Sequence, residues 1–178
     1  MYADEILRCL EAFALEPDAA VVYQHHRLAA YQAAFDNLKD LGLLYSCHCS
    51  RKSLPRGPYP GFCAHRLGQP LDEQWAIRMD TTDLDPCVDD LLLGAQHTER
   101  PGDLIVKRRD GLFAYQLACA VDEHLDQVTH VIRGIDLLES TPMQRLIASK
   151  LNYHRPSYGH FPVIVGQDGA KLSKQTFA

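Results

Sequence analysis

The sequence predicts an α/β fold: a parallel sheet with helices between its strands, interrupted by an inserted hairpin region. Three observations carry that prediction. The runs VTHVIRG (residues 128–134) and FPVIV (residues 161–165) are β-branched and apolar, the composition of strands covered on both faces. Helical patterns lie before and between them. Ahead of both, WAIRMD (residues 75–80), DLIVKR (residues 103–108) and LFAY (residues 112–115) alternate like half-buried strands, with Arg109-Asp110-Gly111 as a hairpin turn.

The elements follow in order. Residues 3–14 read as an amphipathic helix with Ile6, Leu7, Leu10 and Phe13 on one face. VVYQ (residues 21–24) reads as a short strand. Residues 25–42 form a strong helical pattern, with Leu28, Tyr31, Phe35 and Leu38 in one stripe and Gly42 as its cap. Pro55, Gly57, Pro58, Pro60 and Gly61 then forbid regular structure. QLACAVDEHLD (residues 116–126) reads as helix. TPMQRLIASKLN (residues 141–152) opens Thr-Pro, a capped start with proline at the first helical position. A tight turn and loop, GQDGAKLSK (residues 166–174), follows FPVIV.

The chain of 178 residues is long enough for one domain, or one domain carrying an insertion. No apolar run reaches membrane-spanning length, and the start lacks the order of a secretion signal, so a cytoplasmic protein is expected. A net charge of −5 argues against general affinity for nucleic acid. The distribution of charge says more. No Asp or Glu occurs from Leu41 to Leu71, whereas Arg51, Lys52, Arg56 and Arg66 do, with His48 and His65. Such an island suits contact with a phosphate backbone, and equally a solvated loop.

Of six cysteines, Cys47, Cys49 and Cys63 crowd into that stretch. In a cytoplasmic chain, clustered cysteines suggest metal before disulfide. Zinc wants four ligands, and by residue type the fourth is His48, Tyr59 or His65. The Cys-x-Cys spacing is tighter than the usual two-residue gap. Arg133 ends a strand pattern before Gly134, where its fork can grip a carboxylate or phosphate, and Tyr115 can add a hydroxyl. Read alone, Arg133 fits a structural salt bridge and Tyr115 a core ring at least as well. Lys171 and Lys174, in KLSKQ, could neutralise charge on a phosphate, or simply face solvent.

Taken in order, these stretches resemble the class I aminoacyl-tRNA synthetases of the glutamate type, most closely their glutamyl-Q branch. The resemblance runs through ADEILRCLEAFALEPD, VVYQHHRLAAYQAAFDNLKDLGLLYSCHCSR, YPGFC, GDLIVKRRDGLFAYQLACAVDE, VTHVIRGIDLLESTPMQ and HFPVIVGQDGAKLSKQ. FAYQLA and RGIDLLEST favour the glutamyl-Q branch. The resemblance implies a Rossmann-like catalytic domain across residues 1–178, incomplete, with a zinc-bearing, partly β insertion at residues 45–66. It implies that KLSKQ is the family's KMSKS signature, with Lys171 and Lys174 on the ATP phosphates and Lys174 the direct contact. It places Tyr115 and Arg133 at glutamate, and zinc on Cys47, Cys49, Tyr59 and Cys63, with His65 kept as an alternative to Tyr59. The implied partners are ATP with magnesium, glutamate, and tRNA(Asp), whose anticodon queuosine would receive the glutamyl group.

The family's HIGH signature is expected near the start, yet no His-x-Gly-His string occurs; the nearest, SYGH, stands at residues 157–160. The expectation is a chain incomplete at both ends, impaired alone, with an N-terminal segment as a further partner. Two alternatives stay open: a piece of an ordinary glutamyl-tRNA synthetase, and a non-catalytic zinc-bearing RNA-binding remnant.

Overall fold

The computed structural model describes residues 2–166 of the chain. Helix α1 is Tyr2–Ala12 and α2 is Leu28–Asp40, entered through a 3-10 turn at Gln24–Arg27. Strands β1 (Leu44–Cys47), β2 (Ala76–Met79), β3 (Cys87–Asp90), β4 (Gly94–His97) and β5 (Leu104–Lys107) follow. Then come α3 (Tyr115–Leu125), β6 (His130–Gly134), α4 (Thr141–Lys150) and β7 (Ser157–Phe161).

Helix α2 forms where the apolar stripe dictates. Tyr31, Ala34, Phe35 and Leu38 recur at helical spacing and are buried, while Leu28 stays exposed. Gly42, at φ +71°, turns the chain out of the helix, and its N–H reaches the Lys39 carbonyl. The stripe packs on Leu44, Ile77, Met79, Leu104 and Val106 from one sheet and on Leu117, Val121, Leu146 and Ile147 from α3 and α4. Arg27 pairs with Asp122 at 3.0 Å and with Asp126, and Tyr31 donates to Asp122 at 2.8 Å, so the start of α2 is tied to α3.

The described residues form two sheets: an antiparallel one where the inserted hairpin region was expected, and a mixed one where a parallel sheet was expected. One is antiparallel, in the order β1-β2-β5. The other is mixed, in the order β4-β3-β7-β6: β7 runs parallel to β3 and β6, while β4 returns antiparallel to β3. The three residues between β3 and β4 leave room for nothing but an antiparallel return.

Particular elements also depart from the sequence reading. Among the described residues, 21–24 find no partner strand; Val21 and Val22 are exposed, and Gln24 opens the 3-10 turn. LFAY is not a strand. The turn does form, with Gly111 at φ +82° and the Arg108 N–H on the Leu112 carbonyl. After one bridge from Lys107 to Phe113 the chain enters α3, because Phe113 is taken by the rings of Tyr31 and Phe35. The strand expected at FPVIV lies earlier, at Ser157–Phe161, and ends where Pro162 can donate no ladder bond. β6 has a neighbour strand on one side among the described residues, and its Ile132 is 55% exposed. The expected apolar face of α1 is exposed too, at Ile6, Leu10 and Phe13. β1 escaped notice because all four of its residues are buried, which erases alternation, and β3 and β4 because CVDD and GAQH are polar.

Candidate functional site

The cysteine cluster sits at one end of the antiparallel sheet. Cys47 is the last residue of β1, and Cys49 follows as the chain leaves the sheet. Cys63 returns through the Pro/Gly loop and leads into a 3-10 turn at Ala64–Arg66. The three sulfurs lie within 4.8 Å of one another, and Cys49 and Cys63 are 3.7 Å apart. The Tyr59 hydroxyl stands 3.5 Å from the Cys47 sulfur and accepts the Cys63 N–H at 2.9 Å.

Tyr59 is held from three sides. Its N–H donates to the Pro101 carbonyl at 2.8 Å, and the Arg78 guanidinium lies 3.6 Å above its ring. Gly102 closes the third side: at φ +71°, a Cβ there would stand 2.2 Å from the Tyr59 carbonyl oxygen. The histidines lie elsewhere. His48 stacks on Trp75 at 4.4 Å, and the His65 ring meets the Phe62 carbonyl at 3.1 Å. The structure thus brings Tyr59, and neither histidine, to the three thiols.

This donor set could hold a metal ion. A tetrahedral centre with about 2.3 Å bonds to sulfur has S···S edges of about 3.8 Å; with an oxygen at about 2.0 Å, the S···O edge is about 3.5 Å. The Cys49–Cys63 and Cys47–Tyr59 separations match these two edges. Burial raises the Cys47 thiol, but hydrogen bonding to Tyr59 and Arg78 outweighs it and leaves that thiol below its ordinary value. Burial and the Cys63 sulfur push Cys49 up to about 11. Ligation would therefore have to release protons, which ties metal affinity to pH.

Beside the cluster lies an exposed basic surface. Arg109 sits 4.4 Å from the Trp75 ring centre, so His48, Trp75 and Arg109 form one stack. An open cleft lined by Cys49, Ser50, Arg108, Arg109 and Asp110 runs next to it, and Asp110 pairs with Arg108 at 2.5 Å.

The second region gathers residues far apart in sequence. Arg133, near the end of β6, donates through Nε to His160 Nε2 at 3.2 Å and through Nη2 to Thr141 Oγ1 at 2.9 Å and the Leu137 carbonyl at 3.4 Å. Its guanidinium lies 5.2 Å from the centre of the Tyr158 ring, whose hydroxyl donates to Glu123 at 2.9 Å. His160 is fully buried and meets Asp90 through Nδ1 at 2.6 Å. Burial alone would raise the Asp90 carboxyl; the bonds from His160 and from the Leu92, Leu93 and His160 N–H groups overcome that and hold it at about 2.

Tyr115 begins α3 and is 48% exposed, not a core ring. Burial of its hydroxyl end and contact with Cys119 raise its pKa, and the charge of Arg133 acts on it in the opposite sense. Cys119, one turn along, is pushed up to about 11 by burial. Gln144 lies near enough to act on the Tyr115 hydroxyl and is fully buried, yet neither of its amide atoms makes a hydrogen bond of normal geometry among the described residues. Half-buried cation, exposed phenol and buried amide make an arrangement suited to a small carboxylate. Lys171 and Lys174 lie outside the described residues.

Sequence reading missed Asp90, Thr141 and His160. Thr141 read as a helix start and His160 as part of SYGH. Asp90 lay in a strand too polar to notice.

The family model of the catalytic domain of class I tRNA synthetases (E and Q) matches residues 65–178. The chain belongs to this family. The matched stretch contains Tyr115, Arg133, Thr141 and His160, while Cys47, Cys49, Tyr59 and Cys63 precede it. Among curated relatives, the glutamyl-Q tRNA(Asp) synthetase of Dechloromonas aromatica is 44% identical, over 99% of this chain and 62% of that protein. That of Pseudomonas entomophila is 45% identical, over 96% and 59%. That of Acinetobacter baylyi is 41% identical, over 97% and 60%. The chain therefore spans about three fifths of the length of these relatives. Its fold is similar to a glutamate tRNA ligase from Elizabethkingia meningosepticum solved in complex with its amino acid (TM-score 0.74, 20% identity, 97% of this chain and 42% of that one). It is similar also to the glutamate-tRNA synthetase of Elizabethkingia anophelis (TM-score 0.76, 20% identity, 97% and 42%). Among the described residues, no helix is long and apolar enough to cross a membrane.

Proposed function

We propose that the protein is a cytoplasmic synthetase that activates glutamate with ATP and passes the glutamyl group to queuosine in the anticodon of tRNA(Asp). The observation that carries this reading is 41–45% identity along nearly the whole chain to proteins named glutamyl-Q tRNA(Asp) synthetase. The Arg133 region supports it, because a guanidinium whose Nη1 has no partner among the described residues, near a phenol, is what a glutamate carboxylate would need.

In the first step, a carboxylate oxygen of glutamate attacks the α-phosphorus of ATP and pyrophosphate leaves. In the second, a hydroxyl of the acceptor attacks the activated carbonyl, an ester forms and AMP leaves. Arg133 and Tyr115 hold the amino acid; Lys171 and Lys174 meet phosphate charge, which magnesium would share. Zinc on Cys47, Cys49, Tyr59 and Cys63 would pin the loop between β1 and β2. The nearby stack of His48, Trp75 and Arg109 would take an unpaired base of the tRNA, with Arg108 on its phosphates.

The test is glutamate-dependent ATP–pyrophosphate exchange without tRNA, then transfer of labelled glutamate to tRNA(Asp) with and without queuosine. Label confined to queuosine-bearing tRNA is expected. Label on the 3′ end of a glutamate tRNA would instead mark an ordinary glutamyl-tRNA synthetase. Salt-dependent RNA binding without exchange would mark a non-catalytic RNA-binding protein.

A further inference from the structure

The reading of Arg133 as the glutamate-binding cation leaves open what aims it. A guanidinium is a planar fork with three nitrogens, and its use as a carboxylate grip depends on which edge is turned to the substrate. Here two of the three nitrogens are already engaged by protein. Nε donates to His160 Nε2 at 3.2 Å, and Nη2 donates to Thr141 Oγ1 at 2.9 Å. Among the described residues Nη1 has no hydrogen-bond partner.

His160 and Thr141 are both fully buried, so neither can swing away into water. To accept from Arg133, His160 Nε2 must be unprotonated, which puts the ring proton on Nδ1, facing Asp90 at 2.6 Å. Asp90 is itself immobilised. Its second oxygen accepts the Leu92 and Leu93 N–H groups at 2.9 Å and the His160 N–H at 3.1 Å. A line of support therefore runs from the turn after β3, through β7, to the cation at the end of β6, and Thr141 at the start of α4 braces it from the side.

We propose that His160 and Thr141 are positioning residues that orient Arg133 so that its Nη1 edge faces the substrate carboxylate, and that Asp90 fixes the His160 tautomer this requires. This rests on the glutamate reading above, and it predicts more than a structural tie between strands would.

Two substitutions separate the roles of the two ring nitrogens. His160→Asn places an amide nitrogen about where Nδ1 stands, keeping the bond to Asp90 and losing the one to Arg133. His160→Gln places an amide oxygen about where Nε2 stands, keeping Arg133 and abandoning Asp90. The full chain, labelled with 15N-arginine, is followed by NMR through the Arg133 Nε–H signal and titrated with glutamate. In the unsubstituted chain that proton should exchange slowly and its signal should move with glutamate. His160→Asn should expose the proton and weaken glutamate binding about tenfold, the scale of one lost charge-assisted hydrogen bond, with the smaller drop in melting temperature of the two variants. His160→Gln should do the reverse: lower melting temperature, protected proton, glutamate affinity retained. Equal loss of affinity in both variants, or a proton still protected in His160→Asn, would overturn the proposal. If glutamate leaves the Arg133 signal of the unsubstituted chain unmoved, the substrate reading falls; the proton's protection in the two variants then still decides whether His160 positions Arg133.

Discussion

The cysteine cluster and the Arg133 region are built on opposite plans. Cys47, Cys49, Tyr59 and Cys63 fall within one short stretch, and a single loop at the end of β1 brings them together. Arg133, Thr141, His160 and Asp90 come from β6, the start of α4, β7 and β3, and no two are neighbours in sequence. A site closed by one loop depends on local backbone geometry, so damage to it stays local. A site assembled from several elements depends on the sheet that carries it, so damage there reaches the stability of the fold.

That contrast can be broken by substitution. The largest effect is expected at Asp90. Asp90→Ala leaves the buried His160 ring N–H and the Leu92, Leu93 and His160 backbone N–H groups without their acceptor, and each buried donor so orphaned costs about 1–3 kcal/mol. Urea unfolding should show a loss on that scale; a loss below about 1 kcal/mol would mean that the pair does not hold the sheet.

Acid should act at the same point. Asp90 stands at about 2 in the folded chain, below the ordinary aspartate value. Its stabilisation is therefore fully present above about pH 4 and fades as the pH falls through 2, by roughly 2 kcal/mol in all. The acid limb of a pH–stability curve should flatten in that window for Asp90→Asn relative to the unsubstituted chain.

Next comes Gly102→Ala, which replaces none of the four ligands. A Cβ at that left-handed position collides with the Tyr59 backbone, so Tyr59 must move away from the thiols. Bound zinc per chain should fall, as it should for Cys47→Ser, while glutamate affinity stays unchanged. Unaltered zinc stoichiometry in Cys47→Ser would sink the metal site. The smallest effect is expected at the surface. His48→Ala should weaken tRNA binding by about 1 kcal/mol, the lower end of base stacking, and leave metal and glutamate alone. Trp75, the single tryptophan of the chain, reports that binding directly through its fluorescence.

The same contrast explains what the sequence made legible. The cysteine stretch could be read because its chemistry is contiguous, and Tyr59 was among its possible fourth ligands from the start. Helices α2, α3 and α4 could be read because their burial repeats at helical spacing. Arg133 could be placed at a strand end, yet its supports could not be foreseen. Thr141 also satisfies the rule for a helix start, and His160 and Asp90 meet only through the pairing of β3 with β7. That pairing is a long-range event with no local signature, and the polar composition of β3 hid the strand that makes it.

Central to the account is that Arg133 reads glutamate in a region that works independently of the metal loop. Calorimetric titration of glutamate into the chain, into Arg133→Ala, and into the chain stripped of metal by a chelator tests this most directly. The account predicts binding in the first, a loss of about a hundredfold or more in the second, and an affinity unchanged by chelation in the third. Equal binding by Arg133→Ala, or a loss on chelation as large as the loss of Arg133, would contradict it.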